Sequence, residues 1–221
     1  MGTAVQEIQM KFDLHVHTKY SKDSILPLEV LRKITKKQGI TPIITDHDTI
    51  EGNMKFGCKI IAEEIKTLQG EVVGLFMMEK IPGGLTLQET IDRLKQQDSI
   101  FYVPHPFDVH RKSSSIGEGI KKINPHAIEV FNPRTFSKEN NLKALRYAEE
   151  NNILKIVGSD AHTRFEIGKT YLEMEDFYSK KEFLQNLKKA KFVTKPAPIW
   201  VHALSKTSRQ FRKARASLLL P

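Results

Sequence analysis

The sequence is poor in cysteine and lacks long uncharged apolar runs. Its single cysteine, Cys58, excludes an internal disulfide. No segment approaches the roughly 18 uncharged apolar residues of a membrane span, and no charged stretch followed by an apolar one marks the N-terminus as a secretory signal, so a reducing cytoplasm is expected. Only 12 glycines and 10 prolines stand in 221 residues, which excludes collagen-like and low-complexity chains. Hydrophobic residues make up 39%, enough for a full core and too many for a disordered chain. Acidic residues are the scarcer charge: the net charge is +9, which suits an anionic partner without choosing among phosphate, nucleic acid and acidic lipid. The length fits one large domain with an appendage. Residues 1–202 are read as that domain and residues 203–221 as a basic tail, because Lys206, Arg209, Arg212, Lys213 and Arg215 stand there without one acid.

The body alternates short apolar runs with helix-period segments, the pattern of β/α units. Strands are expected at Phe12 to Val16, Ile40 to Thr45, Lys59 to Ile65, Glu71 to Met77, Ile100 to Val103, Ala127 to Phe131 and Ile153 to Val157. Helices are expected from Pro27, as the first helical position, to Gly39, from Thr49 to Cys58, from Thr86 to about Gln97, from Lys138 to Asn151, and from Ser179 through Leu187. Thr86-Leu-Gln-Glu89 and Ser179-Lys-Lys-Glu182 read as capping boxes.

Of eight histidines, six fall in or beside turn-like segments after apolar runs: His15, His17, His47, His105, His110 and His162. In Asp13-Leu-His15-Val-His17 strand alternation puts both imidazoles on one face, a chelating pair. Asp23 follows on a loop with Ser21 and Ser24, able to fold back over the strand end. Thr45-Asp46-His47-Asp48 closes the second strand, Val103-Pro-His105-Pro follows a later one, and Val157-Gly-Ser-Asp160-Ala-His162 repeats the two-residue spacing. Glu64 interrupts an apolar strand, with Glu63 on its opposite face; an unpaired buried carboxylate is costly and calls for a cation or donors. Convergence of nitrogen and oxygen donors without cysteine suits two or three divalent ions such as Mn, Zn or Fe.

In this order the motifs resemble the PHP (polymerase and histidinol phosphatase) family. The resemblance implies a distorted (β/α)7 barrel of the α/β class, a bi- or trinuclear metal site and hydrolysis of phosphoesters. Residue by residue it implies His15, His17, Asp23, His47, Glu64, His105, Asp160 and His162 as metal ligands. The stretch Ile128 to Arg134 is similar to that of the small phosphatase and nuclease subgroup, in which the residues matching Asn132 and Arg134 face the substrate phosphate. Two features depart from the pattern. Glu71 stands where a histidine is common in that subgroup, and no glycine precedes the Glu63-Glu64 pair, of which Glu64 fits the family register.

The mechanism implied is in-line attack by a hydroxide bridging two ions, with Arg134 offsetting phosphoryl charge and Asp160 or His162 handling the leaving-group proton. His110, beside Arg111 and Lys112, is read either as part of a basic loop over the site that meets substrate or as part of a solvated one; His126 and His202 are read as structural. In the tail, Phe211, Ala214 and Leu218 share one face of a helix, which leaves a solvated docking helix and a contact to nucleic acid backbone both open. The expected function is a metal-dependent phosphoesterase acting on a phosphomonoester, nucleotide or nucleic acid end. The alternatives are a histidinol-phosphate phosphatase, a non-catalytic metal-containing nucleic-acid-binding module, and a metal hydrolase of a non-phosphate substrate.

Overall fold

A computed structural model describes residues 9–111, 113–198, 200–202, 204 and 205. Nearly all of the basic tail, and with it the expected tail helix, lies outside the described residues.

Strand β1 (Gln9–Val16) is the hub of the molecule. Its alternation places Phe12, Leu14 and Val16 on one face and Asp13 and His15 on the other, and all five are buried. It pairs in parallel with β2 (Ile40–Ile44), where Pro42 is tolerated because β2 is the outer strand of its sheet. Between them runs α1 (Leu28–Gln38), with Pro27 as its N-cap and Gly39 ending it in the left-handed conformation at φ 64°. The short α2 (Glu51–Phe56) leads to β3 (Ala62–Thr67), which turns back into β4 (Gly70–Leu75) through Leu68-Gln69. Both strands are displaced from the sequence expectation, β3 toward the C-terminus and β4 toward the N-terminus, because the turn holds only two residues.

Helix α3 (Leu87–Gln96) opens with the expected capping box: Glu89 N–H donates to Thr86 Oγ1 at 3.2 Å and Thr86 N–H to Glu89 Oε2 at 2.8 Å. Then come β5 (Ile100–Val103), β6 (Ala127–Phe131), α4 (Lys138–Glu150) and β7 (Leu154–Val157). Strand β8 (Tyr171–Glu175), helix α5 (Lys180–Leu187) and strand β9 (Lys191–Val193) follow. At α5 only half of the capping box forms, because the Glu182 carboxylate accepts from Tyr178 N–H at 2.7 Å instead of from Ser179.

The strands form two sheets, ordered β2-β1-β8-β9 and β3-β4-β5-β6-β7. The expected α/β class holds, as a mixed α/β fold, but the two sheets are not closed into the expected (β/α)7 barrel. The reason lies at the edge of β1. Strand β8 pairs antiparallel with its first half, Gln9 to Phe12, and so occupies the edge that β7 would need. The antiparallel pairs β3-β4 and β4-β5 also break the parallel pattern. Among the described residues the sheets are bridged at two isolated parallel pairs, Val16 with Ala161 and His47 with Glu64.

One large apolar cluster, with Phe12, Ile65, Phe101, Tyr102 and Phe183, fills the space between the sheets and helices. A smaller one, with Val16, Leu26, Leu31 and Ile44, seats α1. Full burial of each such side chain is worth about 1.5–3 kcal/mol, which supports the cost of the polar cluster at the strand ends. No helix among the described residues is long and apolar enough to cross a membrane.

Candidate metal centre

The two bridges that join the sheets also assemble the site. At the first, His17 N–H donates to Ala161 O at 2.8 Å, which sets His17 beside Asp160 and His162. At the second, Asp48 N–H donates to Glu64 O at 3.0 Å, which sets His47 beside Glu64. Ser24 Oγ lies 2.9 Å from His17 O and 3.0 Å from His162 O, so its loop is fastened over the first bridge. That loop carries Asp23 to 3.4 Å from His47 Nε2 and 3.3 Å from His162 Nε2.

The eight residues expected as ligands converge. Glu64 Oε2 lies 3.2 Å from His15 Nε2 and 3.1 Å from His17 Nε2, and Glu64 Oε1 lies 3.2 Å from His105 Nε2. Asp160 Oδ1 lies 3.3 Å from His17 Nε2 and 3.6 Å from His15 Nε2. Four overlapping groups of donors lie within 4.8 Å of one another: His17, Asp23, His47 and His162; His15, His17 and Glu64; His15, His105 and Asp160; and His47, Glu64 and Glu71. Donors on one tetrahedral ion with bonds of about 2.0–2.2 Å stand about 3.3–3.6 Å apart, close to the separations seen. Glu64, His15, His17 and His47 each belong to two groups, so neighbouring ions would share donors.

An unpartnered buried atom provides an independent check of fit. Asp160 Oδ1, His17 Nδ1 and His105 Nδ1 are three of the six buried side-chain polar atoms without a hydrogen-bond partner among the described residues. Of these, Asp160 Oδ1 faces the Nε2 atoms of His15 and His17 and marks a place where a cation would satisfy the protein, whereas the two Nδ1 atoms lie on the far side of rings whose Nε2 atoms face the cluster. The residues present therefore fit a divalent metal centre.

Charge points the same way. Burial alone would raise the Glu64 and Asp160 carboxyls, yet the surrounding imidazoles hold both well below the usual carboxylate range, joined at Asp160 by the Arg111 guanidinium. Burial opposes a charged His47, but Glu64, Asp23 and Glu71 together push it up to about 10. The same contest at His15, won by Glu129, Asp160 and Glu64, raises it well above the ordinary imidazole range. His162 is lowered by burial, by Arg134 and by His17. The cluster thus collects positive charge, which protons supply in part and divalent ions would supply in full.

Two candidate ligands carry backbone strain. His105 at φ 29° and Asp160 at φ 48° occupy the left-handed region, at a cost of order 1–3 kcal/mol each. Both are pinned. His105 N–H donates to Glu129 Oε2 at 2.8 Å, and Asp160 Oδ2 accepts from Arg111 Nη2 at 2.7 Å and Asn132 Nδ2 at 3.1 Å.

A cavity of about 750 Å³ opens beside the cluster. Its lining includes Asp23, His47, Glu71 and His162 of the cluster, with Arg111, Arg134, His110, Phe136 and His202. His110 borders this cavity. Arg134 lines the cavity but is already paired with Glu166 and donates to Ser205 Oγ at 3.1 Å. Asn132, expected against the substrate phosphate, is 1% exposed, and its amide donates to Glu129 Oε2 at 2.9 Å as well as to Asp160, so it braces the carboxylates from behind. Glu71 lies 3.8 Å from His105 Nε2 and 3.4 Å from Lys66 Nζ, inside the cluster. Glu63 points away and accepts from Ile81 N–H at 2.9 Å.

Sequence reasoning missed three contributors. Glu129 accepts from His15 Nδ1 at 2.9 Å, and the clue was a lone acid in the apolar run Ala127 to Phe131, the same signal that singled out Glu64. Arg111 was read only as part of a basic loop, and nothing local announces its bond to Asp160. His202, read as structural, lines the cavity. His126 does serve the fold, accepting from Phe101 N–H at 3.2 Å.

Fold and site together define a mixed α/β protein with a candidate multinuclear metal centre at its strand ends. A family model described as PHP-associated matches residues 138–192. Over 193 residues the chain is 42% identical to Uncharacterized protein MJ0417 of Methanocaldococcus jannaschii, covering 81% of this chain and 79% of that protein. Among solved structures, a two-domain Bacteroides vulgatus protein described as containing a predicted PHP-like metal-dependent phosphoesterase is similar at TM-score 0.67 and 16% identity, over 85% of this chain and 65% of that one. The lesion-specific Endonuclease Q of Pyrococcus furiosus is similar at TM-score 0.57 and 15% identity, over 84% of this chain and 58% of that one. This chain spans less than two thirds of either solved protein. The chain belongs to the PHP family.

Proposed function

We propose that this chain is a divalent-metal-dependent phosphoesterase acting on a phosphomonoester, a nucleotide or a nucleic acid end. The observation that carries the reading is the set of overlapping donor groups sharing Glu64, His15, His17 and His47 beside a cavity that two arginines line. The ions would be Mn, Zn or Fe, held by His15, His17, Asp23, His47, Glu64, His105, Asp160 and His162, with Glu71 as a further oxygen donor. When bound, such ions make a coordinated water acidic near neutral pH and offset charge on phosphoryl oxygens.

The remaining roles belong to the chain. Arg111 and Arg134 give the cavity wall its fixed positive charge, and phosphoryl oxygens are assigned to that wall. His162 lines the cavity, and because its Nδ1 is held by Asp160 O at 2.8 Å its Nε2 is assigned to metal, the leaving oxygen taking its proton from solvent. Asp160, whose Oδ2 is taken by Arg111 and Asn132, is assigned to holding metal. Glu129, Asn132 and Ser24 keep the donors in place. A nucleic acid end is kept within the substrate class because Endonuclease Q, which shares the fold, has been solved with a 27-mer duplex carrying an abasic lesion at its active site.

The test is phosphate release from a panel of phosphomonoesters, nucleotides and 5′-phosphorylated oligonucleotides with Mn, Zn or Fe. The expected result is release that falls by about two orders of magnitude or more in His47→Ala. No release from any substrate under any of these metals would contradict the proposal and favour a non-catalytic binding module.

A further inference from the structure

The far rim of the cavity carries an aromatic group that the phosphoesterase chemistry does not use. Phe136 is 60% exposed, although its neighbours in the loop, Pro133 and Arg134, are buried. Its ring is held in place. His202 stacks on it at 4.3 Å between centroids and 27° between planes, and His110 meets it edge-on at 5.8 Å and 78°. The three rings come from separate segments: the loop after β5, the β6–α4 connection, and the helical stretch at residues 200–202. Long-range contacts of this kind fix an exposed ring more firmly than its own loop would. The resulting aromatic stack is preorganised: His202 takes one face of the Phe136 ring, and the exposure of Phe136 leaves the rest of it to a ligand.

We propose that Phe136 and His202 form a stacking platform for the nucleobase of a terminal nucleotide whose phosphate lies at the metal cluster. The proposal rests on the phosphoesterase reading and narrows its substrate class to nucleoside phosphates and nucleic acid ends. Both ends of such a ligand have a counterpart on one cavity: Arg111 and Arg134 with the donor cluster at the phosphate end, Phe136 and His202 at the base end. The volume, about 750 Å³, is within the usual range for small-ligand sites of about 300–1,000 Å³. Stacking on an aromatic face is tolerant of base identity because every base presents a π-face. The platform therefore selects for a base without selecting which one. A base-free sugar phosphate would leave it uncovered.

The experiment compares the parent protein, Phe136→Ala and Phe136→Tyr with Mn on adenosine 5′-monophosphate, ribose 5-phosphate and a 5′-phosphorylated trinucleotide. In Phe136→Ala the preference for adenosine 5′-monophosphate over ribose 5-phosphate, as the ratio of kcat/KM, falls about 5- to 100-fold, chiefly through KM, and Phe136→Tyr restores most of it. An unchanged ratio overturns the proposal. The trinucleotide shows whether the base comes from a free nucleotide or a nucleic acid end: the substrate whose KM depends more strongly on Phe136 is the source. A calorimetric titration of the metal-chelated proteins with the same nucleotide and sugar phosphate reads the platform without turnover. Weaker nucleotide binding in Phe136→Ala supports it even if no phosphate is released, in which case the phosphoesterase reading alone fails; equal binding to both proteins counts against the platform.

Discussion

The ring nitrogen Nδ1 of His15 donates to Glu129 Oε1 at 2.9 Å, and both residues lie where their strands bulge. The β1–β2 register slips between Asp13 and Val16, and the β6–β7 register slips between Glu129 and Phe131. An extra residue in a strand re-aims the side chains beside it. The bond fixes the orientation of the His15 ring, with Nδ1 as the donor, and aims Nε2 at Glu64, His17 and Asp160.

Three donors converge on the two Glu129 oxygens: His15 Nδ1, His105 N–H and Asn132 Nδ2. A glutamine there offers one oxygen and turns an NH2 group against a donor. Glu129→Gln is therefore expected to weaken divalent-metal affinity about 10- to 100-fold with little change in fold. Competition against a chelating dye measures the affinity, and circular dichroism checks the fold.

Gly158 lets β7 pass close to β1. A Cβ at this position would lie 2.4 Å from His15 Cβ and 2.8 Å from His15 N, which is backbone that cannot yield easily. Gly158→Ala should cost about 1–3 kcal/mol and lower the thermal midpoint by about 3–10 °C. Metal affinity should fall with it, because the chain must move at His15. Scanning calorimetry of the chelated and metal-loaded proteins tests both effects.

Glu63 provides a pH dependence separate from the cluster's own titration. Burial, with Asp48 adding to it, raises its carboxyl from 4.5 to about 8, and Oε1 has no hydrogen-bond partner among the described residues. The unfolded chain loses this proton near pH 4.5, and the folded chain keeps it until about pH 8. The stability it contributes is complete below pH 4.5 and is lost as pH rises to about 8, by up to a few kcal/mol at about 1.4 kcal/mol per pH unit. Glu63→Gln removes that loss. Its thermal midpoint should be near the parent's at pH 4.5 and exceed it by about 5 °C or more at pH 8 to 9, as followed by scanning calorimetry.

How much of this was legible in the sequence differs between site and fold. The site was legible because metal ligation leaves a local trace: donors at strand ends, at two-residue spacing, or alone in an apolar run. That trace led to His15, His17, His47, Glu64, His105, Asp160 and His162, which the structure brings together. Glu129 left the same trace and was passed over because nothing near it suggested a second donor. Arg111 left none, since its partner Asp160 is 49 residues away. The open sheets were illegible for a similar reason. Periodicity locates strands such as β6, placed as expected at Ala127–Phe131, but which strand takes the free edge of β1 is decided by long-range pairing. Strand β8 wins that edge with the short alternation Tyr171–Glu175, in which only Leu172 and Met174 are buried.

The central claim is that the donor cluster holds divalent ions for phosphoester hydrolysis. The most direct measurement is phosphate release by chelated protein as Mn is titrated back, with bound metal counted in the same samples. The account predicts no release after chelation and recovery that saturates at two or three ions per chain. Release that is indifferent to chelation, or ions that bind without any release, would contradict it.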